Sequence, residues 1–76
     1  MKELLEILQG IKPEVDFEKE KGLIEDGILD SFDIISMVNA LNEHFEIEIT
    51  VAELLPENFN DVEAIWNLVQ EMKENG

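Results

Sequence analysis

Seventy-six residues without a cysteine leave room for one small domain, spanning 1–76, and exclude a disulfide framework or a thiolate site. Five lysines against nineteen Asp and Glu give a formal net charge of −14, which repels nucleic acid and anionic membrane and steers basic protein surfaces inward. Hydrophobic residues make up 45% of the chain, enough for one core, but no apolar run approaches the ~18 residues of a membrane span.

The chain opens on Met1-Lys2-Glu3 and a mixed sequence, which does not read as a signal peptide. A cytoplasmic monomer is the expectation. Leu4, Leu5, Leu8 and Ile11 fall at helical spacing, so a helix is predicted from Met1 to Gly10, with Gly10 as its stop and Pro13 behind it. Glu14 to Gly22 is polar, with Val15 and Phe17 as anchors onto the core. Leu23, Ile24, Ile28 and Leu29 make the next stretch too apolar to float free, and Gly22 and Gly27 permit its turns.

Asp30 or Ser31 opens the second helix, since both are strong N-cap types, and Asp33 falls in the first turn where the helix dipole favours an acid. Ile34, Val38, Leu41 and Phe45 form an apolar stripe, flanked by Ile35 and Met37. Glu46-Ile47-Glu48-Ile49 alternates like a strand but stands alone, so it is predicted as an extended connector with its isoleucines inward. Thr50-Val51-Ala52-Glu53 matches a capping box, and Pro56 follows it, which predicts a single-turn helix over 51–55. Asn60-Asp61-Val62-Glu63 starts the last helix, marked by Val62, Ile65, Trp66, Val69 and Met72 and ending near Lys73 and Asn75-Gly76. The expected fold is all-α: three longer helices, one short helix and a long first loop.

Chemistry has few places to reside. His44 is the only histidine and lies thirteen residues after Ser31, about three and a half helical turns away, so it cannot serve Ser31 as a base. No window fits a calcium-binding loop, no metal site is expected, and Gly22 and Gly27 belong to no phosphate-binding loop. Between Gly22 and Met72 lie twelve acids and no Lys or Arg, so Ser31 is expected on a surface without a basic residue nearby. If Asp30 caps the helix, a role worth about 1 kcal/mol, the Ser31 hydroxyl is left to point outward. An exposed serine at a helix start is well placed to carry a phosphate-linked group.

The run Leu23-Ile24-Glu25-Asp26-Gly27-Ile28-Leu29-Asp30-Ser31-Phe32-Asp33 resembles the attachment site of acyl carrier proteins and related carriers. The resemblance extends over the whole chain in length, acidity and helix order. It implies an acyl-carrier-like four-helix bundle, with no enzymatic activity of its own. Ser31 would be esterified by 4′-phosphopantetheine, taken from coenzyme A by a magnesium-dependent phosphopantetheinyl transferase. The arm's thiol would hold the cargo as a thioester. Asp30, Phe32, Asp33 and Glu43 would meet partner enzymes, with Phe32 standing where the family usually has Leu or Met. Those partners would be an acyl- or aminoacyl-loading ligase and downstream acyl-transfer enzymes of fatty-acid, polyketide or related biosynthesis.

Fatty-acid carriers usually read Gly-Ala-Asp-Ser-Leu at this site, whereas this chain reads Gly-Ile-Leu-Asp-Ser-Phe. Its second helix has Ser36, Asn39 and Asn42 where those carriers add acids. The Gly-x-Leu-Asp-Ser form and the segment Glu53-Leu54-Leu55-Pro56-Glu57-Asn58-Phe59 are similar to D-alanyl and stand-alone peptidyl-type carriers. The cargo thus stays open between fatty acyl, aminoacyl and specialised acyl groups. An unmodified acidic module that binds a basic partner is the alternative of another class.

Overall fold

A computed structural model describes residues 2–75 of the chain. Four α-helices and one 3₁₀ turn follow in order: α1 over Lys2–Ile11, α2 over Ser31–Phe45, the 3₁₀ turn over Val51–Glu53, α3 over Pro56–Phe59 and α4 over Val62–Asn75. There is no strand among the described residues. The fold is the all-helical bundle expected. The predicted roles of Met1 and Gly76 fall outside the described residues.

The core forms where the apolar stripes converge. Leu4 and Leu8 of α1, Met37, Val38 and Leu41 of α2, Phe59 of α3, and Val62, Ile65, Leu68 and Val69 of α4 are buried together. Helix α1 packs on α2 and α4, and α3 packs on α4. Each fully buried Leu or Phe contributes about 1.5–3 kcal/mol by leaving water, which is how four short helices hold one another. On α2 the stripe is rotated from the expected one. Met37 is fully buried and Ile35 faces solvent at 55% exposure.

The first loop is held down as its composition requires. Phe17, Leu23 and Leu29 are buried, while Val15, Ile24 and Ile28 pack partly against the core. Asn60 fixes the middle of the loop. Its carbonyl accepts from the Leu23 amide at 2.8 Å, and its side-chain Oδ1 accepts from Ile24 and Glu25 at 3.1 and 3.2 Å. Gly27 has a φ of 72°, a left-handed turn that only glycine makes cheaply.

Two boundaries differ from the sequence reading. Gly10 does not stop α1, which continues through Ile11. Pro13 and the Lys12–Val15 turn, closed by Val15 N to Lys12 O at 3.2 Å, end it instead. Pro56 does not close a single helix over 51–55 but opens a second one. Thr50 and Glu53 form the expected capping box, yet only the three-residue 3₁₀ turn follows. Leu55, preceding the proline, is extended at φ −100°, ψ 143°, and Pro56 enters α3 at its start, where a missing N–H costs nothing.

The connector after α2 is extended with Ile49 buried and Ile47 half-buried, as expected. Asn42 anchors it, accepting from Ile47 N through its carbonyl at 3.1 Å and from Ile49 N through its side chain at 2.8 Å. The chain reverses through Glu46, which takes up the left-handed conformation at φ 55°. Asp61 caps α4, accepting from Ala64 N at 2.7 Å.

Candidate functional site

Asp30, not Ser31, caps α2. Its Oδ1 accepts from Asp33 N at 2.8 Å, and Asp33 Oδ2 accepts from Asp30 N at 3.3 Å. The two acids close a reciprocal capping box across the first turn. Ser31, the first residue of the helix, is exposed and its hydroxyl is not needed for the cap. Phe32 beside it is 77% exposed.

The expectation that no cation lies near this turn is overturned. Lys12, just past the end of α1, lays its ammonium 2.9 Å from Asp33 Oδ2 and donates to the Ile28 carbonyl at 3.2 Å. The hydrogen bond from Lys12 holds the Asp33 carboxyl below its ordinary range, aided by the Asp30 amide and against the cost of partial burial. The same bond raises the Lys12 ammonium above its own. Nothing in the local sequence announces Lys12, because the partnership is made by the packing of α1 on α2.

The four residues expected to meet partners therefore divide. Asp30, Phe32 and Glu43 are exposed, whereas the Asp33 side chain is only 15% exposed and its Oδ2 is occupied by Lys12 and the Asp30 amide. Asp33 is thus a frame residue of the turn. His44 is remote from Ser31, at the other end of α2, and lies 3.2 Å from Glu3 Oε2. No cluster of metal-binding side chains occurs among the described residues.

Residues at i and i+2 of a helix point away from each other. Asp33 turns toward α1, and Ser31 opens instead on a groove of about 210 Å³ lined with Ile34, Ile35 and Leu54. Ile34 and Leu54 also border a smaller recess of about 60 Å³ that reaches Phe59 between α2 and the Leu54–Pro56 segment. Phe32, Val51 and Leu55 are further exposed apolar side chains in this part of the chain. Ile35 was expected to flank the core stripe of α2, so its exposure on the groove was not legible. Leu54 was not legible there either, since only the course of the chain through the 3₁₀ turn sets it on the groove that Ser31 lines.

The site fits a phosphodiester-linked arm. The serine is exposed, its side chain is spared from the cap, and the first N–H groups of a fifteen-residue helix lie at its base. Lys12 fastens the segment that carries Ser31, through the Ile28 carbonyl and Asp33. None of the described helices is long and apolar enough to cross a membrane.

The family model for a phosphopantetheine attachment site matches residues 2–69. No curated protein matches the chain. With a match over most of its length, on a helical bundle that presents an exposed serine at a capped helix start, the chain belongs to the family of phosphopantetheine-bearing carrier proteins.

Proposed function

We propose that this chain is a discrete carrier that holds an acyl or aminoacyl group on 4′-phosphopantetheine esterified to Ser31 and presents it to partner enzymes. The observation that carries this reading is the exposed Ser31 hydroxyl between two acids that cap the helix without it. When bound, the arm supplies a terminal thiol that holds the cargo as a thioester. The chain's own residues do the rest. Asp30 and Asp33 keep the turn folded, the hydroxyl stays accessible, and Ile34, Ile35 and Leu54 offer an apolar wall beside it.

Such a protein carries and does not catalyse. His44 lies beside Glu3 at the far end of α2, too far away to serve Ser31 as a base. A separate phosphopantetheinyl transferase must supply the arm from coenzyme A, and a loading ligase and acyl-transfer enzymes must charge and discharge it. Asp30, Phe32 and Glu43 are the proposed docking residues. Ile35 joins them because it is exposed one turn from Phe32. The few acids on the outer face of α2 favour apolar docking over a dense ionic one. That favours an aminoacyl or specialised acyl cargo as the second reading beside fatty acyl transport in a cytoplasmic, monomeric carrier.

The test is to incubate the chain with a promiscuous phosphopantetheinyl transferase and either acetyl-coenzyme A or coenzyme A, then record the intact mass. Addition of one acyl-phosphopantetheinyl group or one free arm, respectively, is the expected result. A chain that stays unmodified while a known carrier in the same reaction is loaded would favour an unmodified acidic interaction module.

A further inference from the structure

We propose that Lys12 is a positioning residue for the modification of Ser31, holding the serine-bearing turn from behind so that the hydroxyl faces the transferase. The inference rests on Ser31 as the attachment point. Lys12 stands just past the end of α1, and its ammonium grips two points that bracket Ser31 in the chain: the Ile28 carbonyl at 3.2 Å and the Asp33 carboxylate at 2.9 Å. Asp33 Oδ2 in turn accepts from Asp30 N. One cation thereby ties together the residues before, at and after the cap.

The direction of the grip matters as much as its strength. Asp33 and Ser31 are two residues apart on a helix, so a clasp on one leaves the other facing away from it. Lys12 thus constrains the turn without covering the serine, which borders the groove with Ile34, Ile35 and Leu54. Among the described residues Lys12 is the lysine whose salt bridge joins distant segments, in a chain whose charge is −14. A lysine ammonium has three donors, and this one places two of them on the single segment from Ile28 to Asp33.

The step it would serve is a phosphoryl transfer. Ser31 Oγ bonds to the phosphorus of the phosphopantetheinyl group of coenzyme A. The pyrophosphate P–O bond breaks, and adenosine bisphosphate leaves with that electron pair. The serine proton passes to a general base of the transferase. The rate of such a displacement depends steeply on the placement of the attacking oxygen.

The experiment compares wild type, Lys12→Met and Lys12→Arg as full chains, with a phosphopantetheinyl transferase, magnesium and coenzyme A. Assays run well below each variant's thermal midpoint. The rate at saturating carrier should fall roughly tenfold in Lys12→Met, with KM for coenzyme A unchanged, and Lys12→Arg should recover most of it. A loss caused only by partial unfolding would disappear at saturating carrier and would contradict the proposal. Amide hydrogen exchange supplies a readout independent of the enzyme: exchange over Ile28–Asp33 should quicken in Lys12→Met while Ile65–Val69 of α4 stays as in wild type. Should Lys12→Met lose helicity, Lys12→Gln carries the same comparison. A Lys12→Met rate equal to wild type overturns the proposal. A faster rate also overturns it, since it would mean that Lys12 masks Asp33 from the transferase. Failure of wild type itself to be modified would instead overturn Ser31 as the attachment point.

Discussion

Asp30 and Asp33 cap each other: each carboxylate accepts the other's backbone N–H, at 2.8 Å and 3.3 Å, and Ser31 lies between them without taking part. This exchange separates stability from chemistry at the site. The acids hold the helix start, and the hydroxyl is left to be modified.

The separation has a measurable consequence for folding. Asp30→Ala removes the cap and should cost about 1 kcal/mol, a fall of about 4–8 °C in the thermal midpoint of a domain this size. Ser31→Ala should change stability by less than about 0.5 kcal/mol, because an exposed side chain with no capping role is lost. Urea denaturation of the two unmodified variants beside wild type checks both. Equal losses would mean that Ser31 shares the cap.

The clasp on Asp33 sets an acid dependence. The Asp33 carboxyl lies below its ordinary value of 3.8, held there first by the Lys12 hydrogen bond. A depressed carboxylate stabilises the fold fully above its unfolded pKa and loses that contribution as pH falls through its folded pKa. The stability difference between wild type and Asp33→Asn should therefore be constant from neutral pH down to about 5 and close progressively below about 4. Glu53 shifts in the same direction through the amide and then the hydroxyl of Thr50, so Glu53→Gln should show the same closing gap. Chemical denaturation at a series of pH values measures it. A gap that widens on acidification would contradict the assigned direction.

Two backbone positions should be improvable. Gly10 lies inside α1, and a methyl group there would meet nothing within 4 Å. Gly10→Ala should raise stability by about 0.5–1 kcal/mol. Glu46 ends α2 in the left-handed region at φ 55°, where glycine carries no side-chain penalty. Glu46→Gly should be stabilising by a comparable amount and also removes one negative charge. Thermal denaturation at fixed salt tests each, and a lower midpoint for either would show that its conformation has been misassigned.

Charge imposes a further dependence. With −14 on 76 residues, repulsion between carboxylates outweighs the few ion pairs, of which Lys12–Asp33 is the best sheltered. Raising ionic strength from about 0.01 M to about 0.3 M shortens the screening length from about 30 Å to well under 10 Å and should raise the thermal midpoint. A midpoint that falls would mean that the ion pairs dominate instead.

What the sequence announces and what it conceals divide along physical lines. Leu4 and Leu8, Val38 and Leu41, and Ile65 and Val69 repeat at helical spacing, so the helices and most of the core were legible. The capping pattern at Asp30–Asp33 placed Ser31 at a helix start from local signals alone. Contacts between distant segments left no such trace. Lys12 reaches Asp33 across the first loop, Asn60 bonds Ile24 from distant sequence, and Leu54 lines the same groove as Ser31. Pro56 was ambiguous because a proline behind one helix and a proline at the start of the next look alike in sequence, and only the extended Leu55 decides between them.

The central claim is that Ser31 is the attachment point, held open by a cap that does not use it. The most direct measurement incubates unmodified wild type, Ser31→Ala and Ser36→Ala with a phosphopantetheinyl transferase, magnesium and coenzyme A, and locates any added mass by fragmentation. Wild type and Ser36→Ala should each gain one phosphopantetheinyl group, on the peptide containing Ser31, and Ser31→Ala should gain none while keeping its helical spectrum. An arm found on folded Ser31→Ala, or on any residue other than Ser31 in wild type, would contradict the account.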